Sequence, residues 1–402
     1  MVLEPIPNNE PPEIDALVRR VFSISDITLG SRSQGFNLRY RGILADSDSA
    51  QAYETLSADL LPLGFMPLFR VEDGIQTIFV VPARPAAKPS RLWINILLFV
   101  ATIISVLFSG MSYVTGDQFP MTTAGILAAL WTGGIPYMVS LLAILGTHEM
   151  GHYLVSRHHG VESTLPYFIP MPIGLGTMGA FINMKGIPRN RDHLMDIGAA
   201  GPLAGFIVAL IVLVIGLRLS VIDIIPVTFP EGYGAQIEGN SILYLTLKYL
   251  SFGMLLPQPA AYATAPILHW VQYFFTGQPS PFGATDVMLS PVAWAGWVGI
   301  LVTSLNLIPA GTLDGGHISQ TLFGKRATRA ILPVVLGILV LLGFVWNGWW
   351  LWAAMIFFLV GRVHAEPLDQ ITPLSRNRKV IGILCIILFL VTFTPVPFNL
   401  IF

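Results

Sequence analysis

Three ionisable residues, His148, Glu149 and His152, stand in the otherwise apolar run Ile135 to Val155. Ionisable side chains at membrane depth are costly and are usually there for function. Together they spell His-Glu-x-x-His. On a helix, positions i and i+4 share one face about a turn apart, so both imidazoles can reach a single tetrahedral zinc ion. Glu149 adjoins the first of them, where its carboxylate can take the proton of a water made acidic by the metal. Cys385 is the only cysteine, so any zinc must be held by His and carboxylate. The competing reading is a buried polar helix face used for packing or proton relay. That reading leaves three ionisable groups to be neutralised inside a membrane, which a metal would do.

A catalytic zinc takes a third protein ligand and keeps one position open. Asp314 is the candidate. It follows a strongly apolar segment in the stretch from Asn306 to His317, where Pro309, Gly311 and Gly315 interrupt any helix. A broken helix at membrane depth is tolerated only where it is buried in protein or lines a wet cavity. A capping or turn carboxylate is the alternative role for Asp314.

These residues need a scaffold, and composition says which kind. The chain has 402 residues, 53% hydrophobic and 11% charged, with a net charge of −1. That is too apolar for an ordinary soluble enzyme. The net charge gives no reason to expect nucleic acid as a partner. Stretches of the length needed to cross a bilayer are expected at 92–109, 135–157, 194–217, 291–308, 330–346, 348–362 and 380–398, about seven spans. Trp349, Trp350 and Trp352 suit an interfacial belt. The first 30 residues carry no apolar core of a signal peptide and no Arg/Ser-rich transit segment.

Residues 1–88 read as a small soluble α+β domain, and 89–402 as the membrane domain. In the former, 36–44, 66–71 and 75–81 are expected strands. Residues 49–61 are an expected helix with Asp46 or Ser47 near its start. Residues 83–90 read as a linker. With this domain inside, eleven Lys and Arg lie in inside loops and only Arg218 and Lys248 in outside ones. The positive-inside rule then places the N-terminus inside and the C-terminus outside. One further span in 241–278 would invert the later loops. That region is therefore expected to be an outside amphipathic or re-entrant element, or a pair of short spans.

The two motifs together resemble the site-2 protease family of intramembrane zinc metalloproteases, which carries His-Glu-x-x-His in one membrane helix and Asn/Asp-x-x-Pro…Asp-Gly in a later one. The similarity covers about 92–362. The form Asn306-x-x-Pro309-x-Gly311-x-x-Asp314-Gly315, and Gly35-Phe36-Asn37-Leu38-Arg39 with one extra residue, resemble the cyanobacterial and chloroplast branch. The resemblance implies one zinc per chain, with His148, His152 and Asp314 as ligands and Glu149 as base. It also implies Asn306 as a donor to the developing oxyanion, where an interhelical hydrogen bond is the alternative.

The Pro- and Gly-broken segment 165–184 reads as a re-entrant hairpin. Family members have a loop here thought to pair with an extended substrate. Gly176, Gly179 and Phe181 are the candidate substrate contacts, with a plain structural loop as the alternative. The small-residue stripe from Gly198 to Gly205 is expected to pack closely on the catalytic helix. His158 and His159 read as interfacial residues, and His317 as a possible neighbour of the ligand carboxylate.

The expected activity is hydrolysis of a peptide bond in or beside a membrane-anchored substrate's transmembrane segment. By resemblance, the substrates are regulators already trimmed by another protease. The expected setting is the lipid bilayer of a bacterial inner, thylakoid or chloroplast membrane. A transporter with a midplane ionisable site, or a catalytically silent binding module, would use the same polar site differently.

Overall fold

The computed structural model describes residues 11–31, 35–83, 90–116, 119–229, 235–360 and 366–401. The expected linker falls almost wholly on 84–89, outside the described residues, as do Arg362 and His364. The chain divides into two compact units. The first gathers residues 1–89 with 185–194 and 365–376, and the second holds the rest.

The first unit is built on helix α1 (Pro11–Arg19), strands β1 (Phe22–Leu29) and β2 (Leu38–Leu44), helix α2 (Ser49–Leu60), and strands β3 (Phe65–Glu72) and β4 (Ile75–Pro82). All strand pairs are antiparallel, in the order β1-β2-β4-β3. Alternation drives this sheet. Leu38 and Tyr40 on β2, Phe65 and Phe69 on β3, and Ile78 and Val80 on β4 point to one face and are buried there with Leu56 and Leu60 of α2. The expected strands and helix are present. The N-cap of α2, however, is Asp48, whose side chain accepts from the Gln51 amide at 3.0 Å, rather than Asp46 or Ser47. Helix α1 and strand β1 are additions. β1 is an edge strand with mostly half-buried and exposed residues, and a bulge between Ile24 and Asp26 shifts the phase of its apolar alternation. Segment 366–376 also joins this core. The Leu368 carbonyl accepts from the Phe69 amide, the Gln370 amide donates to the Phe69 carbonyl, and Arg70 donates to the Pro367 and Leu368 carbonyls at 3.0 and 2.8 Å.

The second unit begins with α3 (Leu92–Thr115), then α4 (Thr123–Ala129) and α5 (Ile135–His158). A single π-helical turn at Leu130–Gly134 joins the last two into one apolar stretch, so the expected span at 135–157 starts earlier than its hydropathy alone suggests. A hairpin, β5 (Tyr167–Pro170) and β6 (Thr177–Phe181), precedes α6 (Arg191–Arg218). After it come β7 (Val221–Ile224), β8 (Ala235–Glu238), α7 (Ile242–Phe252), α8 (Pro266–Thr276) and β9 (Thr285–Met288). The chain then completes α9 (Pro291–Asn306), α10 (Asp314–Leu342), α11 (Gly348–Met355), α12 (Arg376–Thr392) and β10 (Phe398–Ile401). Two small antiparallel sheets, β7-β9 and β8-β10, complete the unit.

Among the described residues, three helical stretches are long and apolar enough to cross a membrane by length and composition: Leu92–Thr115, Thr123–His158 and Arg191–Arg218. Helices α9 and α12, at 16 and 17 residues, are shorter. Backbone geometry breaks α10 at Gly324, and α11 runs into another π turn at Ile356–Val360. Region 241–278 resolves into α7 and α8, 11 residues each, or about 16 Å of helix, half of a bilayer core. One belt residue is corrected: Trp349 is fully buried and donates to the Pro395 carbonyl at 2.6 Å, while Trp350 is exposed.

The end contacts within this unit sort the helices. His159 after α5 and Arg378 on α12 both pair with Asp196 of α6, each at 3.0 Å. At the other helix ends, Tyr113 of α3 donates to the Leu289 carbonyl just before α9.

Phe69 has no exposed surface and packs edge-on against Tyr53, with ring centroids 5.2 Å apart. Phe69→Ala should cost roughly 3–5 kcal/mol, read as faster amide hydrogen exchange in β3 and β4 of the full chain.

Candidate metal centre

Helix α5 carries His148, Glu149 and His152, all buried, because its other positions supply the apolar face that packs on α9 and α6. The interruption between α9 and α10 brings the fourth residue in. Leu307 closes α9, Leu313 is the extended residue before α10, and Asp314 opens α10. Its carboxylate is turned to the His pair. Oδ2 lies 3.3 Å from His148 Nε2 and Oδ1 lies 3.3 Å from His152 Nε2. The two Nε2 atoms are themselves 3.3 Å apart. His148, His152 and Asp314 form the one group of three or more potential metal ligands among the described residues.

These distances are a test of fit. Ligand atoms about 2.0–2.1 Å from a tetrahedral zinc are separated from one another by about 3.3–3.4 Å. The separation of the two imidazole nitrogens matches, and each of them has one Asp314 oxygen at the same distance, Oδ2 for His148 and Oδ1 for His152. Chemistry agrees with geometry. His152 Nδ1 lies 2.7 Å from the Ile197 carbonyl, which can only accept, so Nδ1 is the protonated nitrogen. Neutral His152 then turns the Nε2 lone pair towards the Asp314 carboxylate. Two facing lone pairs repel in a buried site unless a cation lies between them.

The approach of α6 is set by glycine. A Cβ on Gly201 would overlap His152 Nε2, and one on Gly205 would lie 2.9 Å from His148 Cβ. Only a bare backbone permits the Ile197 carbonyl to come within hydrogen-bond reach of α5. The stripe expected to pack on the catalytic helix does so through these two residues.

The remaining sequence candidates take different places. Asn306 Nδ2 is 3.4 Å from His148 Nε2, at the rim of the ligand triangle. The hairpin ends at the site: the Ile182 amide, just after β6, lies beside the Glu149 carboxylate. Phe181 is half exposed and stacks on Tyr167, with centroids 5.5 Å apart. Gly179 has φ +101 and open space where a side chain would be, whereas Gly176, with φ +82, lies against the backbone of Val106 on α3. Gly176 is therefore walled by a helix. His159 is paired with Asp196 and is not among the ligands, and His317 lies on α10 beside Gly198. Sequence reasoning did not find Ile197 or Ile182, because both act through backbone atoms that no side-chain motif marks.

Gly201→Val should displace His152 and sharply lower bound zinc in the purified chain. Gly198→Ala, whose new Cβ would meet nothing nearer than 3.5 Å, should retain it. Elemental analysis of both proteins checks the pair.

Residues 136–346 match the family model for peptidase family M50. Curated relatives include the probable zinc metalloprotease EGY2, chloroplastic, of Oryza sativa subsp. indica, 28% identical over 342 residues, which is 82% of this chain and 55% of the relative. The corresponding EGY2 of Arabidopsis thaliana is 29% identical over 81% of this chain and 54% of its own length. EGY1 of the same plant is 29% identical over 77% and 54%. The chain spans about half the length of the curated relatives it matches. No solved structure matches it. With the family model covering more than half of the sequence, the chain belongs to peptidase family M50, the site-2 proteases.

Proposed function

We propose that this chain is an intramembrane zinc metalloprotease that hydrolyses a peptide bond in or beside the transmembrane segment of a membrane-anchored protein. The single observation that carries the reading is the cluster of His148, His152 and Asp314, whose ligand atoms lie within 4.8 Å of one another, with Glu149 adjoining it on α5. His148, His152 and Asp314 are the proposed ligands of one zinc ion. Zinc supplies Lewis acidity at this position, making water acidic enough to attack a peptide carbonyl near neutral pH.

The protein's own groups do the rest. Glu149 accepts the proton of the attacking water and hands it to the leaving amine. The Ile182 amide lies beside its carboxylate. Asn306, at the rim of the triangle, donates to the oxyanion as charge develops there. Gly176, Gly179 and Phe181 on the hairpin are the proposed substrate contacts. Hydrolysis needs an unwound peptide, and β6 ends one residue from the amide beside Glu149. An extended substrate laid along this hairpin is therefore delivered to the base. Gly179 and Phe181 have the space for that contact, while Gly176 would act by shaping the turn against α3.

The proposed architecture is a soluble domain at 1–88 followed by a membrane domain at 89–402 with about seven spans, the N-terminus inside and the C-terminus outside. Support for the sidedness comes from one helix-end cluster. Arg157 and His159 of the α5 end, Asp196 of α6 and Arg378 of α12 gather basic charge at one end. The chloroplast location in the relatives' names suggests a thylakoid or chloroplast membrane, or its bacterial counterpart, for this chain too.

Glu149→Gln should keep about one zinc per chain while turnover of a membrane-anchored reporter falls roughly 10²–10⁴-fold. If that variant turned over reporter like the unaltered chain, the proposed base would be wrong. Asn306→Ala should cost roughly 10²–10³-fold in kcat with zinc retained. Loss of zinc instead would mean that Asn306 only steadies His148.

A further inference from the structure

A second buried charged cluster lies far from the metal centre and has no part in the chemistry above. Glu238 on β8, Asp286 on β9 and Lys248 on α7 are all buried. Lys248 Nζ is 3.8 Å from Asp286 Oδ1 and 4.5 Å from the centroid of the Tyr244 ring. The Tyr244 hydroxyl donates to Glu238 Oε1 at 2.8 Å. Two carboxylates are thus served by one ammonium, so both stay charged only with a second cation nearby. Uncompensated charge in such a place is expensive, and burial raises the Glu238 carboxyl above its ordinary range against the pull of Lys248.

Both carboxylates face a groove of about 470 Å³ between β8 and β9, and no Lys or Arg lines it among the described residues. The two strands present different edges to it. The β9 edge is closed: Thr285 exchanges hydrogen bonds with Gln258, and the Val287 amide is taken by the Asp286 side chain at 2.8 Å. The β8 edge is open. Among the described residues β8 pairs only with β10. The Gly239 amide bonds the Pro397 carbonyl, and antiparallel alternation then turns the amide and carbonyl of Gln236 away from β10 towards the groove. Gln236 is exposed. An exposed strand edge at Gln236, beside two carboxylates served by one ammonium, is a template for one kind of ligand.

We infer that this groove docks an extended peptide segment carrying a lysine or arginine, its backbone pairing with Gln236 on β8 and its cationic side chain lying beside Glu238. The segment is the flank of a substrate's membrane span, so the inference rests on the protease reading for the source of the peptide. The spacing suits that source. The groove is lined by Pro291 at the start of α9, and Asn306 at the metal centre ends the same helix. Its 16 residues set the two sites about 24 Å apart at 1.5 Å per residue. A substrate held in the groove has most of a membrane span between its docked flank and the bond to be cut. The groove thereby selects polypeptides by what lies outside the span and sets how far along the cut falls.

The test uses the full chain in detergent, carrying Glu149→Gln to prevent turnover. The probe is the fluorescein-labelled nonapeptide Ser-Thr-Val-Thr-Arg-Val-Thr-Val-Ser, compared with the same peptide bearing Glu for Arg. Fluorescence anisotropy should give saturable binding of the Arg peptide and at least tenfold weaker binding of the Glu peptide. Gln236→Pro, which removes the edge amide at an exposed position, should weaken the Arg peptide at least tenfold. Gln236→Ala, which keeps the amide, should stay within twofold. Equal binding of the two peptides, no binding, or unchanged binding to Gln236→Pro would overturn the inference. Zinc measured in the same sample separates the two readings. Zinc-loaded protein that ignores the Arg peptide removes the groove alone. Zinc-free folded protein that still binds it removes the protease reading and leaves the groove.

Discussion

The proposed centre depends on one electrostatic requirement: positive charge to balance a carboxylate and two imidazoles buried together. In an apolar surrounding, a carboxylate and two imidazole nitrogens packed 3.3 Å apart are costly to bury. Much of the neighbouring packing can be understood as fixing that arrangement. The Ile197 carbonyl selects the tautomer of His152, the start of α10 aims Asp314 inwards, and the Ile182 amide lies beside Glu149. Two of these three constraints are backbone atoms. They do not rotate away, so the geometry of the site is bound to the placement of whole elements.

That placement in turn needs close approach. Helices in a membrane gain little from apolar contact with one another, and they pack by shape. Gly201 and Gly205 remove the side chains that would stand between α6 and the two imidazoles. Close packing and metal geometry are therefore one feature. The same logic explains the break between α9 and α10. A continuous helix would carry Asp314 past the site, whereas the irregular turn at 307–313 lets the chain reverse and open a new helix with its carboxylate at the triangle.

The two buried charged clusters solve the same problem in different ways. At one end of α9 the charges converge on a single point at metal-ligand spacing. At the other, Lys248 lies 3.8 Å from Asp286 and over the Tyr244 ring, with Glu238 bonded to the tyrosine hydroxyl. That cluster borders a groove lined by Glu238 and Asp286. We propose chemistry for the first cluster and recognition for the second.

The sequence by itself determined what local periodicity can encode. The i, i+4 spacing put His148 and His152 on one face, with Glu149 beside them, and proline and glycine marked the interruption before Asp314. Runs rich in apolar and β-branched residues gave β2, β3 and β4, while β1 went unread because a bulge between Ile24 and Asp26 shifts the phase between its Phe22/Ile24 and Ile27/Leu29 pairs. Only the tertiary structure decided the rest. The addition of segment 366–376 to the first unit joins residues some 300 positions apart through backbone hydrogen bonds. The roles of Ile197 and Ile182 likewise belong to main-chain atoms and leave no trace in residue type. Trp349 looked like an interfacial anchor by composition and is fully buried, because its indole N–H found the Pro395 carbonyl inside the bundle. Side-chain chemistry and short-range spacing are written in the sequence. Which backbone groups meet across long separations is fixed only when the elements pack.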